Sequence, residues 1–289
     1  MAAKPNERRT RLFISGLVAG LALGLLLAEI PLAQAEGEAG LPSVEALARG
    51  AQRRGGVTAA YRRRRSLWHK RAPRRFVRAW AALEPPPLVL RSVSSTERHT
   101  LSPDTQGSFG EEALERARGA FAWRRDRSTR SIHPRLVELI YRAALQFDAP
   151  YVWVVSGFRG RRPTSRHYQG RAADIALPGV RDRRLAHFLR RQGFVGVGVY
   201  PVSGFVHVDV RAQSFFWTDH SGPGQAQRNR PTAFGAARRF DRAARQRGEV
   251  PVPDLSVEES EAELAGCIHH PPEEETQSAD SNADAGGAS

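Results

Sequence analysis

The chain has 289 residues, of which 40% are hydrophobic, the composition of a folded protein with a real core. Its formal net charge of +14 is unusual and favours a polyanionic neighbour, whether nucleic acid, anionic lipid headgroups or acidic envelope polymers. A single cysteine, Cys267, excludes an internal disulfide framework. All Lys and Arg precede residue 249, and residues 251–289 carry only acidic charges, so the body is more basic than the total suggests.

Residues 1–35 read as an export segment. Lys4, Arg8, Arg9 and Arg11 form a positive start, an apolar run covers 12–28, Pro31 breaks it, and Ala33-Gln34-Ala35 has the small-x-small form of a cleavage site. The run is at the lower edge of what spans a bilayer, so a cleaved signal peptide and an uncleaved anchor are both open. In either case the rest of the chain is expected to be exported, to the periplasm or cell envelope.

Residues 36–87 read as a linker or basic arm. A cluster of Arg62, Arg63, Arg64, Arg65, Lys70, Arg71, Arg74 and Arg75 is interleaved with Trp68, Phe76 and Trp80. Such a mixture suits single-stranded nucleic acid, but an exported chain seldom meets it, and no nucleic acid is expected as partner. Anionic membrane or envelope polymers, or a merely solvated arm, are the other readings.

The proline run at 85–87 places the start of a domain at residue 88, and the domain is expected to cover 88–220. Residues 88–93 are strand-like, with 98–101 as a hairpin partner. Apolar spacing predicts helices over 111–125 and 134–147, the second opened by Pro134, which suits a first turn because its missing N–H would be unpaired there. Strands are predicted at 151–155 and 172–177, a helix at 181–192, and a hairpin of 196–200 with 205–210. Beyond residue 213 the pattern loosens. Residues 221–289 read as a low-complexity tail, unable from 251 onwards to bury enough surface to fold. The Cys267-Ile268-His269-His270 string there reads as an incidental metal-like match.

Chemistry concentrates in two stretches. Ser165-Arg166-His167-Tyr168-Gln169-Gly170-Arg171-Ala172-Ala173-Asp174 carries a histidine at a loop end, a glycine that lets the backbone turn and an aspartate on the next strand. Phe205-Val206-His207-Val208-Asp209 is a strand whose period of two puts His207 and Asp209 on one face and the valines on the other. Imidazole and carboxylate together suit zinc and several other divalent ions. A catalytic zinc takes three protein ligands and keeps a fourth position open, and His167, Asp174 and His207 make up such a set.

At these residues the chain resembles the DUF882 branch of the M15 peptidases, within the wider group of D-Ala-D-Ala metallopeptidases, lysostaphin-type endopeptidases and the hedgehog N-terminal domain. Ser156-Gly157-Phe158-Arg159 matches the family's S-G-[YF]-R turn, the first stretch its S-x-H-x-x-G-x-A-x-D motif, and 196–201 with 205–209 its closing hairpin. The resemblance implies an α+β fold, a small antiparallel sheet flanked by helices. It implies that His167, Asp174 and His207 bind Zn2+ and that Arg159 contacts substrate or stabilises developing charge. The implied activity is cleavage of amide bonds in peptidoglycan stem peptides or cross-links. The family's acid–base residues, a Glu three positions or a His two positions before the last ligand, are here Gly204 and Phe205. Asp209 is the nearest candidate for a catalytic base, with an orienting partner of a ligand as its other reading. A zinc-containing binding module without hydrolytic activity is the competing function.

Overall fold

The computed structural model describes residues 57–95, 97–160, 162–256, 259 and 268–269. The expected export segment, residues 36–56 of the expected linker and nearly all of the acidic tail, including Cys267, lie outside the described residues.

Residues read as a basic arm form two helices, α1 (Ala59–Trp68) and α2 (Arg74–Ala81). Thr58 caps α1, its hydroxyl accepting from the Tyr61 N–H. Tyr61, Trp68, Phe76 and Trp80 are buried. Polar ties then fasten α1 to the turn at 201–204: Tyr61 donates to the Ser203 carbonyl at 2.9 Å, and Arg65 to the Val202 carbonyl at 2.6 Å. The alternation of basic and aromatic residues is thus the signature of helices packed on one side. A solvated arm does not describe it.

The body holds β1 (Leu88–Ser92), β2 (Arg98–Leu101), α3 (Glu111–Ala120), β3 (Thr129–Arg130), α4 (Pro134–Gln146), β4 (Val152–Ser156), β5 (Ala172–Ala176), α5 (Asp182–Arg190), β6 (Val195–Tyr200) and β7 (Phe205–Val210). It continues with β8 (Phe215–Asp219), β9 (Asn229–Pro231) and α6 (Phe234–Gln246), and β10 (Ile268–His269) pairs with β3. Helix α4 begins as predicted, with Pro134 in its first turn and the His133 ring capping the Arg135 N–H.

Eight strands form one sheet in the order β2-β1-β4-β5-β7-β6-β8-β9. This corrects the expected small antiparallel sheet. The sheet is larger, and two of its pairings, β1 with β4 and β6 with β8, are parallel. The extension comes from both flanks. On one side the 88–101 hairpin joins β4. On the other, β8 and β9 form from residues whose pattern looks loose, because each strand needs a neighbour to satisfy its backbone groups and the neighbour here is β6.

One face of the sheet carries the core. Val206, Val208 and Val210 of β7, Ala173 and Ile175 of β5, and Val195, Val197 and Val199 of β6 pack with Leu136, Leu139 and Ile140 of α4 and Leu185 and Leu189 of α5. Helix α6, in a stretch expected to be low-complexity, is held by Asp241. That buried carboxylate accepts from the Phe194 N–H at 2.7 Å and from the Ser214 N–H at 2.9 Å. Among the described residues, no helix is long and apolar enough to cross a membrane.

Candidate metal centre

The other face of the sheet carries the polar residues, and strand register brings them into a row. Ser156 of β4 stands opposite Asp174 of β5, Asp174 opposite His207 of β7, His207 opposite Gly198 of β6, and Gly198 beside Trp217 of β8. A second row runs Ala172, Asp209, Gly196 and Phe215. The glycines of Gly196-Val197-Gly198 sit where this face has no room. A Cβ on Gly198 would lie 2.4 Å from the Trp217 indole, and one on Gly196 would lie 2.1 Å from an Asp209 carboxylate oxygen. The Trp217 ring consequently lies against His207, centroids 5.1 Å apart.

His167 reaches the row from the loop ahead of β5. Gly170 turns that loop back with φ of 64°, and a Cβ there would sit 2.0 Å from the Ser131 carbonyl oxygen. The Gly170 carbonyl then accepts from the His133 N–H at 3.0 Å, tying the loop to the start of α4.

Three atoms converge. His167 Nε2 lies 3.2 Å from His207 Nδ1 and 3.5 Å from Asp174 Oδ1, and His207 Nδ1 lies 3.0 Å from Asp174 Oδ1. Both rings are oriented by the hydrogen bond on their other nitrogen. His167 Nδ1 is 2.7 Å from the Gly157 carbonyl oxygen, which can only accept, so Nδ1 carries the proton and the Nε2 lone pair faces the cluster. His207 Nε2 is 2.9 Å from Asp209 Oδ2, which directs the Nδ1 lone pair inward in the same way. With His207 also neutral, as a cation bound between them requires, two imidazoles and a carboxylate aim three acceptor atoms at one point. Metal–ligand bonds of about 2.0–2.2 Å in a tetrahedron give ligand–ligand edges of about 3.3–3.6 Å, near the spacing found. The residues present fit a metal ion of zinc's size and preference.

Electrostatics favour a neutral His167 and ionised Asp174 and Asp209. Burial, aided by Arg159, pushes His167 down to about 4, so its ring is neutral near neutral pH. Burial raises Asp174, but Arg159 and His167 outweigh it and hold the carboxyl well below the usual range. Burial likewise opposes the charge on Asp209, and the contacts with His207 and Arg211 overcome it. For His207, hydrogen bonds to Asp174 and Asp209 outweigh burial and raise its proton affinity. A positive charge at this point is therefore welcome, from a proton or from a metal.

Arg159 meets the cluster from its rim. Its Nε donates to Ser156 Oγ at 2.9 Å, and its Nη2 pairs with Asp174 Oδ2, the oxygen facing away from the two histidines. Its side chain is 43% exposed, and Nη1 makes no hydrogen bond among the described residues. A cavity of about 80 Å3 opens beside it, with Ser94, Trp123, Arg124 and Ser156 in its wall.

Asp209 stands elsewhere. It is 1% exposed and lies beyond the His207 ring, on the side away from Nδ1. Arg211 grips it twice, at 2.6 and 2.5 Å, and Arg166 Nε approaches to 3.4 Å. A carboxylate enclosed in this way orients a ligand ring. The position expected of a proton acceptor, beside the point where the three donors meet, is not the one it occupies.

Residues 114–209 match the family model described as Peptidase M15. That stretch, a third of the chain, is similar to the M15 peptidases. The matched stretch contains Arg159, His167, Asp174, His207 and Asp209, so every residue singled out for chemistry lies inside it. No curated protein and no solved structure matches the chain. Hydrolysis of peptide bonds is the activity that the M15 match supports.

Several parts of the site were not anticipated from sequence. Arg211 continues the period of two that carries His207 and Asp209, so its place on that face was legible. The Gly157 carbonyl, the Arg166 contact and Trp217 were not, because each depends on a loop path or a strand pairing that spacing does not encode.

Proposed function

We propose that this chain is a zinc-dependent peptidase of the cell envelope that cleaves amide bonds in peptidoglycan stem peptides or their cross-links. The observation that carries the metal is the convergence of three acceptor atoms, each ring held in the required tautomer by a partner on its far side. Zinc bound there supplies Lewis acidity, polarising a carbonyl and making water nucleophilic near neutral pH. The peptidoglycan substrate rests on the resemblance of the motifs, and export rests on the composition of residues 1–35.

The protein's own groups have separable tasks. His167, Asp174 and His207 hold the ion. Gly157 and Asp209 hold the two rings. Arg159, anchored on Ser156 and Asp174 with Nη1 unbonded among the described residues, offers positive charge at the rim, where an amide oxygen gaining negative charge would be stabilised. The test is to purify the protein, measure zinc, and digest cross-linked muropeptides with wild type and His207→Ala. About one zinc per chain, with cleavage lost in the variant, is expected. Stoichiometric zinc without cleavage of any muropeptide by wild type would sink the enzyme reading.

One observation favours a second reading, a zinc-containing cell-wall binding module. Asp209 is committed to His207 and Arg211, Gly204 has no side chain, and Phe205 stacks on Tyr200 with centroids 4.6 Å apart, so none of the three offers a proton acceptor beside the donors. Binding of zinc-loaded protein to purified sacculi without release of peptide would establish this reading; cleavage dependent on His207 would remove it.

A further inference from the structure

Helices α1 and α2 sort their side chains by chemistry. The aromatic residues Tyr61, Trp68, Phe76 and Trp80 all turn inward and are buried. Outward stand Arg62 and Arg63 on α1, Lys70 and Arg71 in the connection, and Arg74, Arg75 and Arg78 on α2, every one of them exposed. No acidic residue occurs anywhere from 46 to 83. Among the described residues none of these outward cations is paired with a carboxylate, whereas Arg127 on the body pairs with Glu97, and both Arg135 and Arg142 pair with Glu249.

The platform is also fixed in place. Besides the ties of Tyr61 and Arg65 to the turn at 201–204, the His69 ring lies 3.1 Å from the Gly204 carbonyl oxygen, its carbonyl accepts from the Gly179 N–H at 3.2 Å, and the Trp80 indole N–H donates to the Pro87 carbonyl at 2.7 Å. The cations are therefore displayed on a folded scaffold. Such a display of unpaired like charge costs self-repulsion unless a polyanion faces it.

The burial of the aromatics decides between polyanions. A single-stranded nucleic acid site combines cations with exposed rings on which bases stack. Here the rings face the protein: Tyr61 meets Trp68 edge to face at 6.2 Å, and the Phe76 ring is covered by the Arg75 guanidinium at 5.0 Å. What remains outward is charge without stacking surface, which suits a plane of phosphate headgroups. The apolar run at 12–28 precedes this surface in the sequence and points to the same boundary.

We propose that the outer face of α1 and α2 is a docking surface for anionic lipid headgroups, seating the domain on a membrane. The attraction falls by about five-fold for each cation removed near an anionic bilayer surface. The experiment uses the full chain with vesicles of phosphatidylcholine alone and of phosphatidylglycerol mixed with phosphatidylcholine, in a co-sedimentation titration over rising salt. Any hydrophobic insertion by residues 12–28 contributes to both vesicle types, so the difference between them isolates the charged surface. The triple variant Arg74→Gln, Arg75→Gln, Arg78→Gln is expected to lose about 100-fold of the preference for the anionic vesicles, with its melting temperature and its partition onto phosphatidylcholine unchanged. Arg62→Gln with Arg63→Gln, a second variant from the other helix, is expected to lose about 25-fold. Undiminished anionic preference in both variants overturns the proposal, as does tighter binding of wild type to a single-stranded oligonucleotide than to anionic vesicles at the same salt.

Discussion

His207 Nε2 and Asp209 Oδ2 lie 2.9 Å apart, two residues along the same strand and on the same face. Asp209 therefore touches the ring nitrogen that the cluster does not use, and its influence on a metal runs through the orientation and basicity of the His207 ring. Asp209→Asn keeps the volume and an acceptor oxygen while removing the charge. Its zinc affinity, measured by competition with a chromophoric chelator, is expected to fall about 10- to 100-fold. Activity should return substantially at saturating zinc. If affinity is unchanged and activity is lost at every zinc concentration, Asp209 acts directly on the reaction.

Gly198 faces Trp217 across the β6–β8 pairing, with no space for a methyl group. Gly198→Ala must displace the indole that lies against His207. Overpacking of this kind costs about 1–3 kcal/mol, and the variant's denaturant midpoint should drop accordingly. Because Trp217 also donates to the Tyr200 hydroxyl at 3.2 Å, a shift in tryptophan fluorescence should accompany the loss. A variant as stable as wild type with an unaltered spectrum would show that the sheet can open at this point.

Trp68 is 1% exposed although it belongs to a run of mostly basic residues. If α1 is integral to the fold, Trp68→Ala should cost about 3–5 kcal/mol, as truncation of a buried aromatic does. Thermal or urea unfolding monitored by circular dichroism reads this directly. A loss of well under about 1 kcal/mol would mean that α1 is an appendage to the domain.

Glu249 lies beyond α6 and reaches back to α4, where Arg142 Nη1 donates to it at 2.6 Å and Arg135 Nη1 pairs with its other oxygen. Burial pushes its carboxyl up, but the two arginines outweigh burial and bring it below its ordinary value of 4.5. A carboxylate depressed on folding contributes stability that is fully present above its unfolded pKa and is lost as pH falls through the folded value. Glu249→Gln should therefore be less stable than wild type at pH 7 by about 1 kcal/mol, a screened, partly exposed contribution. The gap should narrow as the pH falls below 4.5 and close once it has passed through the depressed folded value. A gap that stays constant into the acid range would assign the effect to packing.

How much of this was legible beforehand differs from element to element. Helix α4 and strands β5, β6 and β7 are readable because their signals are local: a proline at a helix start, apolar spacing of three and four, strict alternation in Phe205-Val206-His207-Val208-Asp209. The three candidate ligands are readable for the same reason, since residue types and short spacings carry them. The flanks were misread. In α1 the apolar residues are few and large, and the arginines between them conceal a helical face that exists only because the turn at 201–204 is there to receive it. In β8 and α6 the local pattern is weak, and a parallel neighbour and the single buried Asp241 hold them.

The chain's residues alone therefore determine the donor set, the alternation that separates core from site on β7 and the glycines that leave room beside them. These are properties of side chains and of short backbone periods. Only the tertiary structure decides the role of Asp209, because a carboxylate two residues from a histidine can face either the reaction or the ring's far nitrogen, and the contacts of Arg211 and Arg166 select the second. It likewise decides that the basic helices turn their aromatic rings inward, since which side of an amphipathic helix is covered depends on the surface that meets it.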